Sequence, residues 1–145
     1  MAGTSFDIEV IAMFIERLMN QTNAPLVERV LQFASARHSL IAENIANVDT
    51  PGYRQKDLSQ AKFFAMLRER AATRANAAPG TVTYDDVPAD LDKGAGGILF
   101  HDQNNRSMEQ LASDQAKNGL LYTMAIEILR KQYSQMEMAL KERVS

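Results

Sequence analysis

The chain has 145 residues, a net charge of −2, 46% hydrophobic and 23% charged residues, and neither cysteine nor tryptophan. That length suits one domain, the ordinary apolar and charged balance excludes wholesale disorder, and the lack of cysteine excludes disulfides and thiolate chemistry. The near-neutral charge supplies no general reason to bind nucleic acid or an anionic membrane.

Residues 1–24 read as an N-terminal extension with a short amphipathic helix. Phe6, Ile8, Val10, Ile11, Met13, Phe14, Ile15 and Leu18 are apolar, but Asp7, Glu9, Glu16 and Arg17 interrupt them. A cleavable signal needs an unbroken apolar middle, and a membrane span needs about 20 apolar residues. The stretch has neither, so the chain is not expected to span a membrane. Asn20 to Asn23 form a polar break, and Pro25 suits the first turn of the next helix.

Residues 25–57 form the second unit. Val27, Val30, Leu31, Ala34, Ile41, Ile45 and Val48 share one helical face. The spacing predicts a helix from Pro25 to Asn47, about 35 Å long. Pro51 forces it to stop before Thr50, and Thr50-Pro51-Gly52-Tyr53 fits a type II turn with glycine at the positive-φ place. Asn44, Asn47 and Asp49 can bond local backbone groups and close the helix end. His38 has no partner at metal-ligand spacing and reads as a structural or interfacial residue.

Residues 58–106 read as a variable middle. Phe63, Phe64, Met66 and Leu67 predict a short helix from Leu58 to Ala72, and the arginines and lysines between Arg54 and Arg74 read as its solvated face. Four of the seven glycines follow (Gly80, Gly94, Gly96, Gly97), with Pro79 and Pro88. Thr81 to Tyr84 favour a short strand by composition. Asp85, Asp86, Asp90 and Asp92 lack the third ligand and distal glutamate of a calcium loop, and read as an acidic surface loop. His101-Asp102 is too little for a catalytic pair. No metal, cofactor or catalytic constellation is expected anywhere in the chain.

Residues 107–145 form the last unit. Met108, Ala112, Gln115, Gly119, Tyr122, Ile126, Leu129, Tyr133, Met136 and Leu140 make a heptad seam over more than four repeats. Ser107 can cap a helix running to Val144, about 57 Å long. The fold class is therefore mainly α. Two long amphipathic helices, one near each end, pack as an antiparallel coiled-coil-like pair around an irregular middle. Seam left over on the longer helix is best buried against copies of the chain itself, and a contact that repeats without closing builds a filament.

Two blocks carry a resemblance to a known family. Asn44-Ile45-Ala46-Asn47 running into Asp49-Thr50-Pro51-Gly52-Tyr53 resembles the N-terminal signature of bacterial flagellar basal-body rod proteins, preceded by Ala36-Arg37-His38 and followed by Arg54-Gln55-Lys56-Asp57. From Asn104 to about Leu140, Asn105, Met108-Glu109, Ala116, Asn118 and Tyr122 stand at family-like places. Two departures are present: a longer segment before Pro25, and Asn105-Arg106-Ser107-Met108 in place of a valine-aspartate step. The resemblance implies a structural subunit of the proximal rod, in the periplasmic part of the flagellum. It implies export without a cleaved signal, helices packed around an export channel, and torque passed through the packed tube. Implied partners are other rod subunits, the basal-body adaptor subunit and the export gate. The competing reading is a soluble helical-hairpin adaptor or chaperone of the same machine. It explains the amphipathic helices but not the corner at Asn44 to Tyr53.

Overall fold

The structure is a computed structural model that describes residues 22–89, 98–101 and 106–144. The expected N-terminal helix, Asp90, Asp92, Gly94, Gly96, Gly97 and Asp102 lie outside the described residues. Three helices and a two-stranded ribbon follow in the order α1 (Ala24–Ala46), β1 (Lys56–Leu58), α2 (Gln60–Ala75), β2 (Leu99–His101) and α3 (Met108–Val144). The long helices α1 and α3 pack side by side and antiparallel, with a short irregular middle, as their amphipathic stripes imply.

Helix α1 begins at the polar break, with Pro25 in its first turn. It ends at Asn47, whose backbone N–H and side-chain amide both return to the Glu43 carbonyl. The chain then turns twice. The Thr50 N–H bonds the Asn47 carbonyl, and the Tyr53 N–H bonds the Thr50 carbonyl across Gly52, whose φ is +77°. Only glycine takes that φ without strain, so the type II corner follows directly from Pro51-Gly52.

Past the corner, β1 pairs antiparallel with β2, Lys56 opposite His101 and Leu58 opposite Leu99. Leu58, which the sequence pattern places at the start of a helix, is instead in the ribbon, and α2 starts after Ser59, whose hydroxyl accepts from the Lys62 N–H. Its Phe63 stacks on Phe33 of α1, ring centroids 4.1 Å apart, with Phe64 edge-on to Phe63. These rings, with Val30, Leu40, Leu58, Leu67 and Ile98, form the core. Each such burial is worth roughly 1.5–3 kcal/mol.

Thr81 to Tyr84 do not form the expected strand. Gly80, at φ +80°, turns the chain there, and the Thr83 carbonyl accepts from Arg70 Nε rather than from a strand partner. Tyr84, Val87 and Ala89 are buried in the core. Asp85 meets the buried Arg29 at 2.9 Å, Asp86 meets Arg70 at 2.9 Å, and Arg74 lies over the Tyr84 ring. The acidic loop is thus a strap pinned by three arginines, two of them from the face of α2 expected to be merely solvated.

Candidate functional site: a buried polar node at the corner

The corner is built around side chains that replace missing backbone partners. Asn44 is fully buried in the last turn of α1. Its Nδ2 donates to the Lys56 carbonyl at 2.7 Å, and its Oδ1 accepts from the Lys56 N–H at 3.0 Å. The Tyr53 hydroxyl donates to the same Oδ1 at 3.2 Å. One side-chain amide thereby does what a neighbouring strand would do for β1. Asn44 is consequently not a local helix closer as the sequence reading allowed; its partners lie nine and twelve residues on.

Gln55 repeats the device at longer range. Its Nε2 donates to the Arg106 carbonyl, and its Oε1 accepts from the Arg106 N–H at 3.0 Å. This bonds the residue entering β1 to the segment entering α3. Between these two amides sits Asp57, buried, with both oxygens occupied. Arg37 of α1 grips it bidentately at 2.8 and 3.0 Å, Arg106 reaches Oδ2 at 2.8 Å, and the Leu58 N–H reaches Oδ1 at 2.8 Å. Arg106 also bonds Asp114 in the second turn of α3. Burial alone would raise the Asp57 pKa. The hydrogen bonds and charges of Arg37 and Arg106 outweigh it and hold the carboxyl below its ordinary value.

The Tyr53 phenol is held above its ordinary value, by burial first and by the neighbouring Glu43 carboxylate second. Glu43 also pairs with Lys56 at 3.2 Å across the corner. Among the signature residues, Asn44, Asn47, Thr50, Gly52 and Tyr53 are tied into this turn-and-node structure. Asp49, Thr50, Pro51 and Gly52 are exposed, as is Ala46, while Ile45, Val48 and Tyr53 are half-buried. The apex of the corner is therefore presented to solvent, on a base locked from beneath.

The second predicted set, the α3 seam, is placed differently. The residues of α3 buried against the rest of the chain are Leu111, Asn118 and Ala125. Each lies one residue before a seam position (Ala112, Gly119, Ile126). Of the seam itself, Met108, Ala112, Tyr122, Tyr133 and Leu140 are exposed, and Gln115, Gly119, Ile126, Leu129 and Met136 are half-buried. Apolar residues lie around much of α3, so periodicity alone leaves its rotation open. Two polar contacts set it: Arg106 with Asp114, and Asn118 Nδ2 with the Ala34 carbonyl at 2.7 Å. Farther along, the Tyr133 hydroxyl donates to Glu28 at 2.6 Å.

The seam borders a groove of about 450 Å³ between α1 and α3, lined by Ser35, His38 and Ser39 on one side and Asn118, Gly119, Tyr122 and Thr123 on the other. Asn118 Oδ1 is buried without a hydrogen-bond partner. Among the described residues no cluster of histidine and carboxylates is arranged to hold a metal, and no helix is long and apolar enough to cross a membrane.

Arg37, Gln55, Asp57 and Arg106 were not singled out as a site by sequence reasoning. The available signal was polar residues standing at apolar places, such as Arg37 and Asn118 on stripes that otherwise face the core.

Comparison with known proteins bears on the same region. Residues 31–54, the second half of α1 and its corner, match the family model described as flagella basal body rod protein. Over 114 residues the chain is 28% identical to flagellar basal body rod protein FlgB of Salmonella typhimurium (strain LT2), covering 72% of this chain and 83% of that protein. The chain is FlgB-like: its corner carries the pattern of the flagella basal body rod proteins, and its similarity to FlgB extends over most of its length.

Proposed function

We propose that the chain is a structural subunit of the proximal rod of the bacterial flagellar basal body. The observation that carries this reading is the buried node. The residues under the matched signature form no reactive cleft; they lock one end of a long helix pair and present a rigid turn. Such an element suits repeated contact between subunits, and it needs no catalytic group.

In this role α1 and α3 pack against other rod subunits and copies of the chain, and the exposed apex from Asp49 to Gly52 touches a neighbour. The helices line the export channel and pass motor torque along the rod. The adaptor subunit and export gate lie at the base of the assembly, and the chain reaches the periplasm through the gate without a cleaved signal. A helical filament of this kind follows when one heterologous contact repeats without closing.

The test is fractionation. Basal bodies purified from the source bacterium should contain the chain at fixed stoichiometry, and deletion of its gene should leave cells without external filaments. Recovery of the chain only in the soluble fraction, bound to other export substrates, overturns the rod reading in favour of an adaptor.

A further inference from the structure

The groove between α1 and α3 has features that the described contacts do not use. Gly119 sits mid-helix, where glycine is disfavoured, yet its φ is not positive and a Cβ added there meets nothing within 4 Å. Beside it Asn118 lines the groove, with its Nδ2 spent on the Ala34 carbonyl and its Oδ1 buried without a donor. The Ser39 and Thr123 hydroxyls donate back to their own helices, to the Ser35 and Gly119 carbonyls, so what they offer a guest is an acceptor. The recess calls for a donor. From it the same two faces run toward the corner through Ala42 and Ala46 of α1 and through Ala116, Ala112 and Met108 of α3, all exposed.

A second unused surface lies on the side of α3 turned away from α1. Leu120 is 66% exposed, Met124 62% and Ile128 46%, and Lys131 continues their row with no ion pair among the described residues. The row is spaced by four, four and three residues. Met108, Ala112, Ala116 and Gly119 on the groove side repeat that spacing 12 residues earlier. At 3.6 residues per turn the two rows stand about a third of a turn apart, so one chain cannot bring its own rows together. We infer that the groove is filled by a second copy of this chain, whose Leu120, Met124, Ile128 and Lys131 lie along it. The inference deepens the proposed rod role and rests on it for the assembly in which copies meet.

Laid in the same direction and displaced by 12 residues, about 18 Å, the second copy sets Leu120 level with Met108, Met124 with Ala112 and Ile128 with Ala116. From Met124 on, large side chains meet small ones, as close packing of helices requires. Lys131 arrives level with Gly119. The missing side chain there leaves room for the ammonium, which brings a donor to the Asn118 oxygen and to the Thr123 hydroxyl. Charge fits as well, because the recess has no lysine or arginine of its own to oppose the ammonium. Tyr122 at its edge supplies an aromatic ring, which attracts such a cation. Row and groove are different surfaces, so the contact is heterologous and passes from copy to copy without closing on a pair.

The absence of native cysteine makes disulfide trapping direct. The full-length chain carrying Ala112→Cys with Met124→Cys replaces the parent in the source bacterium, and the cells are oxidised mildly. Those positions lie about 18 Å apart on one helix, beyond the roughly 7 Å that a disulfide spans, so they link only between chains. The expected result is a ladder of linked chains on a non-reducing gel. Ser113→Cys with Met124→Cys, one residue off the groove, should give about tenfold less. Equal ladders, or no ladder, overturn the inference. Dimers from Met124→Cys alone mean a twofold contact between outer faces and overturn it as well. Lys131→Glu, at an exposed position outside the described contacts, replaces the donor by an acceptor and should cut the ladder about tenfold. An undiminished ladder in that variant rejects the seat. The same gel run on purified basal bodies separates the two readings. The chain present there without a ladder rejects the contact and leaves the rod role standing. A ladder in whole cells, from a chain absent from basal bodies, keeps the contact and rejects the rod role.

Discussion

Asn44 and Lys56 are joined as two strands of a sheet are joined, except that one partner is a side chain: Nδ2 to carbonyl at 2.7 Å and N–H to Oδ1 at 3.0 Å. Removing that amide leaves two backbone groups of β1 and the Tyr53 hydroxyl without their partner. Asn44→Ala should cost about 3 kcal/mol, since each buried group left unpaired costs about 1–3 kcal/mol. Asn44→Asp should cost a similar amount, because a carboxylate keeps the acceptor but turns a second oxygen on the Lys56 carbonyl. Urea denaturation checks both, and stability within about 0.5 kcal/mol of the parent would contradict the bonding described.

Asp57 makes stability depend on acid. Its folded pKa is depressed, so its contribution is present above its unfolded pKa, about 4, and is lost as pH falls through the folded value. The parent protein should therefore lose stability steadily below about pH 4. Asp57→Asn should cost about 3 kcal/mol at neutral pH, by leaving the buried Arg37 without its carboxylate while Arg106 keeps Asp114, and should show a flatter acid limb. Chemical denaturation repeated from neutral to acid pH separates the two curves. Parallel curves would mean that Asp57 is not the titrating group.

Tyr133 marks the far end of the helix pair in alkali. Its hydrogen bond to Glu28, with burial and the Glu28 charge adding to it, pushes the phenol up to about 12. The bond favours the protonated form, so it persists below the ordinary tyrosine value and is lost as pH rises toward 12. Phenolate absorbance should show a component that titrates toward pH 12, and Tyr133→Phe should remove it while the raised Tyr53 stays.

Gly52 is needed for its backbone alone. A Cβ there meets nothing within 4 Å, yet φ is +77°. Gly52→Ala should cost about 1–2 kcal/mol through strain at the corner, with no packing penalty. Gly52→Asn should recover part of the loss, because asparagine tolerates the left-handed region better. Melting curves of the pair give the comparison, and equal melting for both substitutions would place the cost elsewhere.

Sequence and structure agree most closely where a signal is local. The start of α1 at its proline, the Pro51-Gly52 corner and the Ser107 cap on Gln110 are all written within four residues of where they act. The β1–β2 ribbon, the Gln55–Arg106 pairing and the Asn118–Ala34 bond join residues 41 to 84 positions apart, and no periodicity points to them. The α3 seam shows the limit of pattern most clearly. Its period is plain in the sequence, but its rotation about the helix axis depends on two polar contacts. Thr81 to Tyr84 fail as a strand for a related reason: composition favours extension, while Arg70 from another element takes the carbonyl a strand would use.

The polar node lies at one end of the α1–α3 pair, and along the rest of it single hydrogen bonds, Asn118 to Ala34 and Tyr133 to Glu28, stand among apolar contacts. Apolar contacts alone are non-directional and do not fix a helix against a shift of one turn, about 5.4 Å. A guanidinium gripping a carboxylate and an amide matched to a peptide group have no second position one turn away. The node therefore works as an index stop. It gives every copy of the chain the same offset between its two long helices.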